Sequence, residues 1–91
     1  NKPAILYYIS IHHENEILYK IGITNRSVLE RFSLDKDKDI RVIFEEYFEK
    51  GLDAKSKEKL ILDKYKSFKY KGPPILKSLG NSELFSQNIF P

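Results

Sequence analysis

Tyr7, Lys20, Arg31 and Glu58, taken in chain order, are the residues whose types could do chemistry together. An aromatic hydroxyl, an ammonium, a guanidinium and an inward-facing carboxylate on a small scaffold are the parts of a site that cuts phosphodiesters. Such hydrolysis needs an activated water, stabilisation of added charge on the phosphoryl oxygens, and help for the departing oxygen. Each residue also has a plainer reading. Tyr7 suits strand packing, Lys20 suits an edge-strand guard, Arg31 suits a helix surface, and Glu58 suits a half-exposed complement to a helix dipole. Tyr8 competes with Tyr7, and Tyr19 is a further hydroxyl near the first loop.

The elements that must position these groups follow from the apolar pattern. Ala4 to Ile11 (AILYYISI) is almost continuously apolar, which suits a strand covered on both faces. His12 to Asn15 reads as a polar loop, and Glu16 or Ile17 to Ile23 alternates as the second strand of a hairpin. Opposite residues of an antiparallel hairpin have numbers that sum to a constant, and an odd constant puts Tyr7 and Lys20 on one face. Pairing Ile11 with Glu16 across the loop gives an odd constant and sets Tyr7 opposite Lys20; an even one would favour Tyr8. Thr24 or Asn25 can cap a short helix through Phe32, with Val28, Leu29 and Phe32 as its apolar side. The run from Asp35 to Asp39 (DKDKD) alternates in sign and reads as an exposed turn. Ile40 to Phe48 forms a third strand, and Asp53 caps a helix of about four turns ending near Tyr70 and Lys71, before Gly72-Pro73-Pro74. On that helix Ala54, Glu58, Ile61, Tyr65 and Phe68 share one face. A helical turn at Ile75 to Leu79 and a terminal segment at Leu84-Phe85 complete the order β-β-α-β-α-α.

Composition bounds the function. The 91 residues make one domain over 1–91, and a hydrophobic fraction of 41% with six Tyr and six Phe gives an aromatic core. The sequence has no Cys, which excludes disulfides and thiolate metal sites and is compatible with a reducing cytoplasm. No apolar run approaches the roughly 20 residues needed to span a bilayer. The expected location is therefore the cytoplasm. The chain opens on Asn1, as a processed product or excised domain would, so a DNA-recognition domain or partner outside this chain is expected. The net charge of +3 is modest, but Lys55, Lys57, Lys59, Lys64, Lys66, Lys69, Lys71 and Lys77 face only Glu58 and Asp63 within the same stretch. Phosphate is a natural partner for that basic half. His12 and His13 are adjacent on an extended chain, point to opposite sides, and have no further ligands nearby for zinc.

The sequence Leu6-Tyr7-Tyr8-Ile9, then Lys20-Ile21-Gly22-Ile23-Thr24, Arg31, Glu58, and finally Gly80-Asn81-Ser82-Glu83-Leu84-Phe85, resembles the GIY-YIG nuclease superfamily. Within it, the chain looks most like a phage-type subgroup whose second motif reads K-I-G-I-T. The resemblance covers nearly the whole chain. It implies an α/β fold with a three-stranded antiparallel sheet flanked by helices, and a DNA endonuclease dependent on Mg²⁺ or Mn²⁺. Tyr7 matches the tyrosine of the first motif, Lys20 the second motif's tyrosine, Arg31 the helix arginine, and Glu58 the metal-binding glutamate. Arg31 lies one residue further past Gly22 than in many members, which leaves Arg26 as a lesser candidate. Leu62 stands where the subgroup often has histidine, and Ile5 where the first motif has glycine.

The physical chemistry of that set is coherent. A free tyrosine, with a pKa of about 10, is a poor base, and Lys20 nearby would lower that value. Arg31 can hold the scissile phosphate through two parallel hydrogen bonds. Glu58 supplies a hard oxygen ligand to a single metal, since no second carboxylate has a clear claim. Arg26, Lys55, Lys66, Lys69, Lys71 and Lys77 are expected on the backbone of double-stranded DNA. Asn81 and Glu83 either brace the site or, in the case of Glu83, pair with a local lysine. Two other readings stay open: a catalytically silent DNA-binding or interaction module, and a small basic protein-binding domain.

Overall fold

The apolar run near the start of the chain becomes a central strand. In the computed structural model, which describes residues 2–77 and 83–90, β1 (Ala4–His13) lies between β2 (Glu16–Thr24) and β3 (Asp39–Phe48). A fourth strand, β4 (Leu84–Phe85), pairs with the far side of β2, so the antiparallel order is β3-β1-β2-β4. β1 is therefore flanked at both edges and covered on both faces, and Leu6, Tyr7, Tyr8, Ile9 and Ile11 have no exposed surface. The expected three strands become four because Leu84-Phe85 is too short to show a strand pattern, yet completes the sheet against Tyr19 and Lys20.

Alternation sorts the side chains into two cores. Tyr7, Ile9 and Ile11 pack on one face with Val28, Phe32, Leu76 and Leu84. Leu6, Tyr8 and Ile21 pack on the other with Phe85 and Ile89, against Ile61 and Leu62 of the long helix and Tyr65 just past its end. Each face buries several large side chains, at roughly 1.5–3 kcal/mol apiece before the entropy of ordering them.

The hairpin is tighter than expected. His13 pairs with Glu16 and Tyr7 with Gly22, across a two-residue turn at Glu14 and Asn15. Glu14 takes a φ of 55°, the left-handed conformation that lets a short turn follow the twist of the strands. His12 and His13 thus belong to the strand and not to a loop. The pairing constant stays odd, so Tyr7 and Lys20 do share a face, but Lys20 stands opposite Ile9 instead of Tyr7. The pairing of β1 with β3 slips by one residue between Tyr8, opposite Phe44, and Ile9, opposite Val42, which leaves Ile43 as a bulge on the sheet edge.

Ser27 caps the short helix α1 (Val28–Arg31), accepting from the Glu30 N–H at 3.2 Å, while Thr24 accepts from the Arg26 N–H just before it. The expected cap thus moves to the next hydroxyl along, since Asn25 and Arg26 are spent on the bend. The long helix α2 (Gly51–Lys64) begins ahead of Asp53, which sits in its first turn, and it stops well before Tyr70. After a 3₁₀ turn at Lys66–Phe68 the backbone is taken up by β4: Tyr70 N donates to Leu84 O and Ser86 N to Phe68 O, each at 2.9 Å. Phe68 consequently leaves the inward face and is exposed. No helical turn forms at 75–77, and the rest of that expected turn, Asn81 and the side chain of Leu29 lie outside the described residues.

The charged run after α1 is a turn with Lys36, Asp37 and Asp39 exposed, as expected, but its first residue is not. Asp35 ends a 3₁₀ turn at Ser33–Asp35 and is fully buried, accepting from the Lys77 N–H at 2.7 Å and facing the Lys38 ammonium at 3.5 Å. It ties the segment before β3 to the segment after α2. No helix among the described residues is long and apolar enough to cross a membrane.

Candidate active site

Gly22 makes the site possible. It pairs directly with Tyr7, and a Cβ at Gly22 would collide with the Tyr7 hydroxyl and lie 2.6 Å from the ring carbon bearing it. The Tyr7 ring therefore lies across the glycine of β2, held edge-on by Phe32 at 5.7 Å between centroids. Tyr8, one residue along, points to the opposite face. Its hydroxyl donates to Asn88 Oδ1 at 2.7 Å and accepts from the Ile89 N–H at 3.1 Å, which commits it to anchoring the last segment. Of the two tyrosines, Tyr7 is the one that shares a face with Lys20.

Lys20 is buried, with its ammonium 5.7 Å from the centre of the Tyr7 ring. It donates to Glu83 Oε1 at 3.1 Å and, more weakly, to Ile21 O at 3.4 Å. Burial pulls the Lys20 pKa below its ordinary value, and the charge and hydrogen bond of Glu83 work against that pull. Glu58 reaches in half-buried from α2 and lies close enough to Glu83 for the two carboxyls to interact. Burial, then the hydrogen bond and charge of Glu83, push the Glu58 pKa from 4.5 up to about 7, against the pull of Lys20 and Lys55. Burial and the neighbouring Glu83 carboxylate thus favour the protonated form of Glu58.

Arg31 closes the group from the end of α1, its guanidinium 5.2 Å from the centre of the Phe32 ring. Its charge reaches both Tyr7 and Lys20. The expectation that Lys20 would acidify Tyr7 is overturned. Burial raises the Tyr7 pKa well above its ordinary value, Glu83 and Glu58 raise it further, and Arg31 is the charge that pulls it down. The phenol is therefore protonated in the resting domain.

The structure brings Tyr7, Lys20, Arg31 and Glu58 together and places a second carboxylate, Glu83, beside Glu58. Two neighbouring carboxyls are an oxygen donor set that a hard divalent cation fits, since its charge would offset their mutual repulsion. Among the described residues no group of three or more His, Asp or Glu could hold a metal, which leaves the other coordination positions to water and phosphate. Glu83, expected either to brace the site or to pair with a lysine, pairs with Lys20, which β4 brings alongside it.

A family model, the T5orf172 domain, matches residues 4–89. The chain belongs to the T5orf172 domain family. That match overturns the resemblance to the GIY-YIG superfamily and its phage-type subgroup, because the model that spans the chain is that of a different family. Short motifs such as K-I-G-I-T record a local need, a glycine beneath a tyrosine ring, which is less specific than a match over the whole length. The T5orf172 domain is of a nuclease-associated, DNA-binding type, compatible with a DNA-acting role. No curated protein and no solved structure matches the chain.

The basic residues divide in two. Lys66 and Lys69 line a depression beside Glu83, and Lys55 lines another beside Glu58, so these three rim the carboxylate pair. Lys77 instead faces the Asp35 and Asp37 carboxylates, and Arg26 lies in a separate cavity with Arg31. Lys71 is exposed.

Proposed function

We propose that this T5orf172 domain is a metal-dependent DNA endonuclease that hydrolyses phosphodiester bonds in double-stranded DNA. The observation that carries the reading is the convergence of Lys20, Arg31 and the Glu58–Glu83 pair on the Tyr7 hydroxyl. A structural ion pair needs one acid and one base; this cluster holds two of each around a buried phenol, which suits a site that handles a dianionic transition state.

Glu58 and Glu83 would hold Mg²⁺ or Mn²⁺, which when bound supplies positive charge to the phosphoryl oxygens and lowers the pKa of water. Arg31 orients the scissile phosphate through its planar donors. Lys20 balances the negative charge that accumulates near Tyr7. The Tyr7 hydroxyl orients the attacking water by hydrogen bonding; it takes that water's proton only after its own proton has passed to bulk solvent, and Arg31 is the charge that favours this phenolate. Lys55, Lys66 and Lys69 at the rim, with Lys71, hold the flanking backbone without reading bases.

A second reading rests on a specific observation: the Tyr7 phenol is shifted away from the base form and Lys20 is bonded to Glu83. A domain that stayed in that state with DNA bound would be a silent binding module. Supercoiled plasmid incubated with the protein in Mg²⁺, in Mn²⁺ and in EDTA separates the two. Nicked or linear product that depends on the metal supports the enzyme; retarded but uncut plasmid under all conditions supports the silent module.

A further inference from the structure

Beside Arg31, on the side away from the carboxylate pair, a cavity of about 360 Å³ opens at the end of β2. Lys2, Thr24, Asn25, Arg26 and Arg31 give it its polar lining, and no acidic side chain is among the described residues that line it. Its walls are fixed. The Gly51 N–H donates to Lys2 O at 2.7 Å, which ties the start of the chain to the start of α2. The Arg26 N–H donates to Thr24 Oγ1 at 3.1 Å, which sets the bend that presents the Arg26 side chain. Three cationic side chains around one cavity with no acidic lining make a positive surface that a phosphate oxygen complements.

We propose that Lys2, Arg26 and Arg31 form a phosphate subsite that seats the backbone phosphate next to the scissile one. The proposal rests on the endonuclease reading and deepens it by naming a strand path. Arg31 stands between the subsite and Tyr7: its guanidinium lies over Phe32, and Phe32 lies edge-on to Tyr7. One guanidinium can serve two neighbouring phosphates from its two edges, which a lysine cannot do. A strand bound this way runs from the Lys2 cavity past Arg31 to the carboxylate pair.

The test measures binding of a duplex without terminal phosphates as a function of salt, for the parent and for Lys2→Gln, Arg26→Gln and Lys36→Gln. Lys36 is exposed elsewhere, on the rim of the cavity between α1 and β3, and serves as the charge control. Lys2→Gln and Arg26→Gln should each reduce the salt slope by about 1 and weaken binding alike on unrelated sequences, as loss of a phosphate contact does. Arg26→Lys should recover most of the slope, and Lys36→Gln should leave it unchanged. An unchanged slope for Lys2→Gln and Arg26→Gln, or an equal fall for Lys36→Gln, overturns the subsite. A parallel titration with inorganic phosphate, followed by amide shifts of Arg26 and Lys2, separates a free-anion site. Phosphate binding lost in the variants while duplex binding is kept also overturns it. If the parent never cuts plasmid but the slopes fall as expected, the subsite stands and the endonuclease reading falls.

Discussion

Glu58→Gln tests the carboxylate pair in the absence of any substrate. The Glu58 pKa rises from 4.5 to about 7 in the folded domain. At about 1.4 kcal/mol for each tenfold change in proton affinity, the full shift is worth roughly 3 kcal/mol, and half-burial brings it to roughly 1–2 kcal/mol after solvent screening. The direction follows from linkage. Between pH 4.5 and about 7 the folded domain holds a proton that the unfolded chain has released, so the parent loses stability as pH rises through that window and the loss is complete above it. Gln offers Glu83 a permanent amide donor and does not titrate. Urea unfolding in EDTA should show parent and variant matched at about pH 4, and the variant more stable by about 1–2 kcal/mol at about pH 8. Mg²⁺ should then stabilise the parent at the higher pH and leave the variant unmoved, while plasmid cutting by the variant collapses. An equal gap between the two proteins at both pH values would refute the raised Glu58 pKa. Full cleavage by folded Glu58→Gln would refute the metal-ligand role.

Tyr7→Phe removes one hydroxyl from a buried ring and should bind DNA as the parent does but cut on the order of a hundredfold more slowly in single-turnover assays; equal rates would remove Tyr7 from the chemistry. Tyr8→Phe leaves the Ile89 N–H and Asn88 without their shared partner and should cost about 1–3 kcal/mol in urea unfolding while the cutting rate on saturating DNA is kept. A folded Tyr8→Phe that fails to cut would transfer the role to Tyr8. Gly22→Ala forces a methyl into the Tyr7 ring, and the lost stability should be about 1–3 kcal/mol with cutting abolished; a Tm equal to the parent's would show that the ring has another seat.

Strand parity carried much of this site in the sequence. Period-two alternation depends only on whether the pairing constant is odd, so Tyr7 and Lys20 could be placed on one face even though the turn proved two residues long and the partners shifted. The inward stripe of α2 was legible for the same reason: Ala54, Glu58, Ile61 and Tyr65 keep their spacing whether the helix starts at Gly51 or Asp53. Three things were not legible. The DKDKD run has the composition of a solvated turn, and only the approach of the Lys77 backbone makes Asp35 an interior acceptor. Leu84-Phe85 has no period to read, so β4 came from pairing with a distant strand. The direction of the Tyr7 shift depends on how much water reaches the ring, a property of the packed molecule and not of its neighbours in sequence.

The contacts between the two ends of the chain set an order of events during synthesis. Tyr8 is tied to Asn88 and Ile89, and Lys20 to Glu83. A nascent chain that has exposed β1 and β2 but not yet residues 83–90 lacks the acid that neutralises the buried ammonium and the tail that satisfies Tyr8. Such a chain cannot close either core at full stability, and contacts this distant in sequence also form late. Any chemistry at Tyr7 therefore waits on residues 83–90, and a fragment that stops short of residue 83 should be inert.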